Sequence, residues 1–128
     1  MKNKKILVDM SATLIHHGHI RLLKKASRFG NVYVALTRDK EIKKHKGYIP
    51  ELKFNHRKEI LLSIKYVKRV IPSNFFITEN FIKKHKIDFL IHGNDNKNKI
   101  QLSKTIIFKR TKGISSTKLR KKILNYKK

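Results

Sequence analysis

Lys5-Ile6-Leu7-Val8-Asp9-Met10-Ser11-Ala12-Thr13-Leu14-Ile15-His16-His17-Gly18-His19 is the stretch that decides the fold. Ile6 to Val8 form a short apolar run bounded by charge, the pattern of a central strand buried on both faces. Ile20, Leu22, Leu23 and Ala26 then recur at helical spacing, and Gly30 is expected to close that helix as its C-cap. The period has switched from strand to helix within one short connection. That switch recurs along the chain.

Val32, Val34, Ala35 and Leu36 make a second strand. From Arg38 to Leu52 the sequence is polar, with Gly47 and Pro50, and reads as a short helix followed by a mobile basic loop. Asn55 or its neighbour is expected to cap a helix with Ile60, Leu61, Ile64 and Val67 on its apolar face. Arg69 to Ile71 is a short strand stopped by Pro72. Thr78 to His85 is a helix, Phe89 to Ile91 a strand ending at Gly93, and Thr105 to Phe108 the last strand. Ser115 opens the final helix, with Leu119, Ile123 and Leu124 inward; Lys127-Lys128 is a frayed tail. Strands alternating with helices in this way predict an α/β fold, a Rossmann-like doubly wound parallel sheet in one domain over residues 1–128. Ligands of such sheets bind beyond the carboxyl ends of the strands at a switch point. The loop after the first strand and the loops at Gly93 and Gly113 therefore share one rim.

The chain has 128 residues, 39% of them hydrophobic, enough to bury a core. It has no cysteine, which excludes disulfides and thiolate metal sites. No apolar run approaches the roughly 20 residues of a membrane span. The apolar part of the first segment is shorter than the about 7–15 residues of a signal-peptide core, so a cytoplasmic location is expected. Lys and Arg number 33 against 8 Asp and Glu, a formal charge of +25 that attracts polyanions. The basic residues are spread through nearly every segment, and no zinc-finger, RRM or KH motif accompanies them. Nucleic acid is therefore not expected as the primary partner. A nucleotide is also an anion, and suits a basic pocket equally.

Two groups of residues carry chemistry. His16 and His19, three apart, share one face of a helical turn, and Gly18 between them lets a phosphate approach the backbone. Bare N–H groups at the helix start add positive potential. A lone histidine there would ordinarily be structural; the pair behind a parallel-type strand points to a polyphosphate. His-x-x-His also suits a metal, but no Cys or carboxylate stands at ligand spacing, so no protein-held metal site is assigned. The second group is Arg110-Thr111-Lys112-Gly113-Ile114-Ser115-Ser116-Thr117-Lys118-Leu119-Arg120, where a strand ends, a glycine turns and hydroxyls cap a helix. Alone it is an ordinary helix cap.

Together they carry a resemblance. Met10 to His19 resembles the H-x-G-H nucleotidyltransferase motif, and Arg110 to Thr117 resembles the R-T-E-G-I-S-T-T motif of the cytidylyltransferase branch. His56-Arg57-Lys58-Glu59, Tyr66-Val67-Lys68-Arg69-Val70-Ile71-Pro72 and His92-Gly93-Asn94-Asp95 look like that branch's H-R-K, R-Y-V-D-E-V-I-P and G-D-D-W segments, in order. The length suits glycerol-3-phosphate cytidylyltransferases, and the wording before the histidines resembles the cytidylyltransferase domains of phosphonate biosynthesis. The resemblance implies CMP transfer from CTP to a small phosphate- or phosphonate-bearing acceptor, releasing pyrophosphate, with Mg²⁺ bridging phosphates. It gives catalytic roles to His16, His19, Lys46 and Arg110. It puts the nucleotide against Met10, Ser11, Ala12, Gly18, His19, Gly93, Asp95, Arg110, Gly113, Ile114, Ser115, Ser116 and Thr117. Lys46 and Arg57 would bind substrate, Arg57 as a fork.

Three departures accompany it. Thr13 stands where the family has an Asp three residues before the first His. Gly93-Asn94-Asp95-Asn96 lacks one carboxylate and the aromatic of the G-D-D-W loop. Lys68-Arg69 replace an acidic pair near the dimer contact of related proteins, where a homodimer is implied. An ATP-dependent adenylyltransferase of the same superfamily, and a basic non-catalytic nucleic-acid-binding module, stand as alternatives.

Overall fold

β1 (Lys5–Met10) runs through the middle of a five-stranded parallel sheet and bonds to β2 (Asn31–Thr37) on one side and β4 (Phe89–Gly93) on the other. The computed structural model describes residues 3–93, 105–108 and 111–125. Beyond β2 lies β3 (Val67–Ser73), beyond β4 lies β5 (Thr105–Phe108), and the order is β3-β2-β1-β4-β5. The order reverses at β1 and β4. Their carboxyl ends, at Met10 and Gly93, flank the crevice where a parallel sheet of this kind takes its ligand.

The sheet is buried on both faces, as its unbroken apolar runs require. Ile6, Val8 and Met10 face α1 (His17–Ser27) and α3 (Phe54–Leu62), packing with Leu23, Ala26 and Leu61. Leu7, Ala35 and Leu90 face the opposite way, against Ile77, Ile87 and Ile82 of α4 (Glu79–Lys84). Two further helices belong to the rim, α2 (Asp39–Lys46) and α5 (Ser116–Asn125). The α/β class and the doubly wound parallel sheet are as expected.

Several local expectations are corrected. The C-cap of α1 is Arg28, not Gly30; a Cβ on Gly30 would lie 2.5 Å from the Lys4 carbonyl oxygen, so that glycine admits a close backbone approach at the entrance to β2. Lys53 is the N-cap of α3, without a side-chain bond, and Asn55 lies inside the helix. The Asp39 carboxylate accepts the Phe54 N–H instead, at 3.2 Å, so the cap comes from another element. Ile60 is exposed, and Val67 opens β3. Pro72 continues β3 instead of stopping it, which an edge strand tolerates because proline's missing donor is not needed on the outer side. Ile123 and Leu124 are 64% and 70% exposed rather than inward.

Burial sorts the consequences. Leu23→Ala, at a fully buried position, is expected to cost about 2–5 kcal/mol in urea unfolding. Ile123→Ser is expected to stay within about 0.5 kcal/mol of the parent; a loss comparable to Leu23→Ala would contradict the outward placement of that residue.

Candidate active site

The chain leaves β1 at Met10 and crosses the carboxyl edge of the sheet as Ser11 to Ile15. Ala12 is buried with φ 48, a left-handed residue that reverses the chain. Its Cβ makes that conformation cost about 1–2 kcal/mol, which the surrounding contacts must offset. His16 then caps α1 with its own ring: the Gly18 N–H donates to His16 Nδ1 at 3.0 Å, and the His16 N–H donates to His19 Nδ1 at 3.1 Å. Each Nδ1 is thus an acceptor, which puts the proton of each neutral ring on Nε2. The ring centroids lie 4.0 Å apart, at a helix start with no acidic residue in its first turn. Paired N–H donors in the positive field of a helix N-terminus suit an anion. The structure supplies its own reason for Gly18: a Cβ there would lie 2.8 Å from the His16 ring.

The second motif meets the first. The Ile114 side chain comes within 3.4 Å of where a Gly18 Cβ would stand. Ser116 Oγ donates to the Leu14 carbonyl at 2.8 Å and stands 3.2 Å from the Leu14 N–H. Ser115 caps α5, accepting the Lys118 N–H at 3.0 Å, and Thr117 is exposed. Gly113 turns at φ 79 with open space on its Cβ side. Segments about a hundred residues apart therefore close into one rim, as the two motifs together imply. Ser116 spends its hydroxyl on the loop.

Arg57 is placed differently from its expected role as a substrate fork. Its side chain is fully buried, with Nε donating to the Leu52 carbonyl at 3.0 Å, one terminal nitrogen to the Ser11 carbonyl at 2.6 Å and the other to Asp39 at 2.5 Å. It holds the loop that precedes the imidazoles. Lys46 is exposed at the end of α2. Asp95 and Arg110 lie outside the described residues, as do Asn94 and Asn96.

Two groupings were not assigned roles from sequence. Asp9, at the end of β1, pairs with His92 Nδ1 on the neighbouring end of β4, at the switch point. Thr13, in the place of the family acid, is buried; its hydroxyl meets Tyr48 OH at 3.3 Å and accepts from Arg120 at 3.2 Å. Arg120 also takes both oxygens of Glu51, at 2.8 and 2.5 Å, and stacks 4.1 Å over the Tyr48 ring. That hydrogen bonding holds the Glu51 carboxyl below its usual range and pushes the Arg120 guanidinium up, so both are charged at neutral pH. Both groupings join residues far apart in sequence, which local spacing does not show.

A parallel sheet with an imidazole pair and a hydroxyl-capped helix at its switch point defines a Rossmann-like protein whose ligand edge suits an anion. The description Cytidylyltransferase-like matches residues 11–122, and the chain belongs to that family. It is 34% identical over 125 residues to a glycerol-3-phosphate cytidylyltransferase of Bacillus subtilis (strain 168), covering 94% of this chain and 97% of that protein. A protein of the same name from Staphylococcus aureus is 34% identical over 128 residues, covering 94% and 95%. An ethanolamine-phosphate cytidylyltransferase of Mus musculus is 33% identical over 93 residues, 71% of this chain and 23% of that one. Among solved structures, a lipopolysaccharide core biosynthesis protein from Thermoplasma volcanium GSS1 shares the fold, with TM-score 0.65 and 22% identity over 97% of this chain and 88% of that one.

Arg57→Ala would strip the Ser11 and Leu52 carbonyls and Asp39 of a buried partner. It is expected to lower stability by about 3–5 kcal/mol in chemical denaturation. Near-parental stability would show that Arg57 is not the anchor of the loop.

Proposed function

We propose that this protein is a cytidylyltransferase that moves CMP from CTP to the phosphate of a small alcohol, glycerol 3-phosphate foremost, or to a phosphonate. The observation that carries the proposal is the convergence of the two imidazoles with the hydroxyl-capped start of α5 on one rim, in a chain matched over nearly its full length by glycerol-3-phosphate cytidylyltransferases. The acceptor oxyanion attacks the α-phosphorus of CTP, a new P–O bond forms, and the bond to the bridging oxygen breaks as pyrophosphate leaves. No protein nucleophile is required; positioning and charge stabilisation carry the rate.

In this reaction the Nε2–H groups of His16 and His19 meet the β-phosphate and the charge that grows on the leaving group. Lys46 reaches the α-phosphate and the acceptor, and Arg110 faces the nucleotide. Met10, Ser11, Ala12, Gly18, Gly93, Asp95, Gly113, Ile114, Ser115, Ser116 and Thr117 border CTP, with Ser116 acting through the loop it holds. Mg²⁺ is the expected companion. Among the described residues no group of three or more His, Cys, Asp or Glu could hold a metal ion, and Thr13 brings a hydroxyl where a carboxylate would help. The triphosphate oxygens and water would hold the ion, which would supply neutralisation of the phosphate charge. Among the described residues no helix is long and apolar enough to cross a membrane; a cytoplasmic location is proposed because CTP is there.

Incubation with CTP, Mg²⁺ and glycerol 3-phosphate, phosphoethanolamine, phosphocholine or 2-aminoethylphosphonate should release pyrophosphate, and ATP in place of CTP should not. His16→Ala and His19→Ala should each lower kcat about 10²–10³-fold. No turnover with any acceptor, together with no CTP binding, would overturn the proposal; preference for ATP would change the base.

A homodimer is proposed over the β3 edge. It would bring exposed Lys68 and Arg69 of two copies near each other, so it should strengthen as added salt screens them. Sedimentation at low and high ionic strength checks this, and a monomer at both removes it.

A further inference from the structure

Arg120 is positioned by more than its salt bridge. Tyr48 lies under its guanidinium at 4.1 Å and the buried Thr13 hydroxyl accepts from it at 3.2 Å. Its side chain is 17% exposed, whereas that of Glu51, its carboxylate partner, is 46% exposed. The arginine is thus built into the rim, and the acid is the removable member of the pair. Glu51 occupies the fork through two oxygens, at 2.8 and 2.5 Å, the geometry in which a guanidinium also takes a phosphate.

Position adds to this. Arg120 reaches Thr13, three residues before the capping imidazole of His16, and stands one turn along α5 from Ser116, which holds Leu14. The segment carrying Tyr48 and Glu51 is fastened downstream, where Arg57 holds the Leu52 carbonyl. Tyr48 is also held by the Thr13 hydroxyl, at 3.3 Å, and Pro50 is buried, so release of Glu51 would free its exposed side chain while leaving the frame of Arg120 in place.

We propose that Glu51 is the resident counter-ion of a phosphate subsite centred on Arg120, and that a substrate phosphate displaces it. The inference rests on the phosphate-transfer reading above and deepens it. Phosphate binding then competes with an internal carboxylate, so removing the carboxylate charge tightens binding and removing the fork weakens it. A merely structural salt bridge would behave otherwise, because loss of either partner would loosen the rim and weaken binding.

Calorimetric titration of the full chain and its Glu51→Gln, Arg120→Gln and Arg120→Lys variants with inorganic pyrophosphate, CTP and glycerol 3-phosphate separates these cases. Glu51→Gln should bind at least one of them roughly threefold to tenfold tighter, the factor set by how often the fork is closed in the parent. Arg120→Gln should bind the same ligand at least threefold more weakly. Arg120→Lys, which keeps the charge but not the fork, should also weaken it and serves if the glutamine variant does not fold. A gain seen with pyrophosphate and CTP assigns the subsite to the triphosphate; one seen with glycerol 3-phosphate alone assigns it to the acceptor. Shifts of the same sign in the glutamine variants, or no shift with any ligand, overturn the inference. Turnover of CTP without opposite shifts removes this subsite alone. Opposite shifts with pyrophosphate in a chain that turns over nothing keep the subsite and remove the transfer reading.

Discussion

One hydroxyl, Ser116 Oγ, is bonded to both the N–H and the C=O of Leu14, across 102 residues of chain. The loop it holds crosses the carboxyl ends of a parallel sheet, where no neighbouring strand continues the ladder. Backbone groups there need other partners, and each left buried without one costs about 1–3 kcal/mol. The partners come from three directions: Ser116 at Leu14, Arg57 at the Ser11 carbonyl, and the Thr37 hydroxyl at the Met10 carbonyl, 3.2 Å away. With the loop held at those points, the His16 and His19 rings have one place to go. They complete the start of α1 by capping it.

The strands were legible because a buried parallel strand is a continuous apolar run and needs no knowledge of its neighbours. Ile6 to Val8 and Phe89 to Ile91 are of this kind. Helix ends were harder to read where the decisive partner lies in another element. α3 is completed by Asp39 of α2, which no scan of residues 53–57 could find. Pro72 looked like a stop because its consequence depends on whether the strand is central or at an edge, and strand order is not a local property. Ile123 and Leu124 look like an inward stripe at helical spacing, and only tertiary packing shows that α5 leaves them outside.

The same division runs through the site. The imidazole pair and the hydroxyl cluster were legible because each is a short motif whose chemistry is local. Arg57 carried the right chemistry, a planar fork of donors, but its burial reassigns those donors to main-chain carbonyls. The Asp9–His92 pair and the Arg120–Glu51–Tyr48–Thr13 group are contacts between segments 83 and up to 107 residues apart, and spacing along the chain says nothing of them.

The surplus of cations gives these long-range pairs a common logic. With 33 Lys and Arg against 8 Asp and Glu, carboxylates are scarce. Those described in detail are each tied to a distant element: Asp9 to His92, Asp39 to Arg57 and the start of α3, Glu41 to the Phe75 N–H, Glu51 to Arg120, and Asp88 to the Lys5 N–H. Asp9, Asp39, Glu41 and Asp88 so used tie the fold together, and Glu51 is the exposed member of its pair. With so few carboxylates against its cations, the chain lowers its self-repulsion when negative charge arrives from outside. The carboxyl edge of the sheet is where such charge is favoured, because the starts of α1 and α5 present bare N–H groups there.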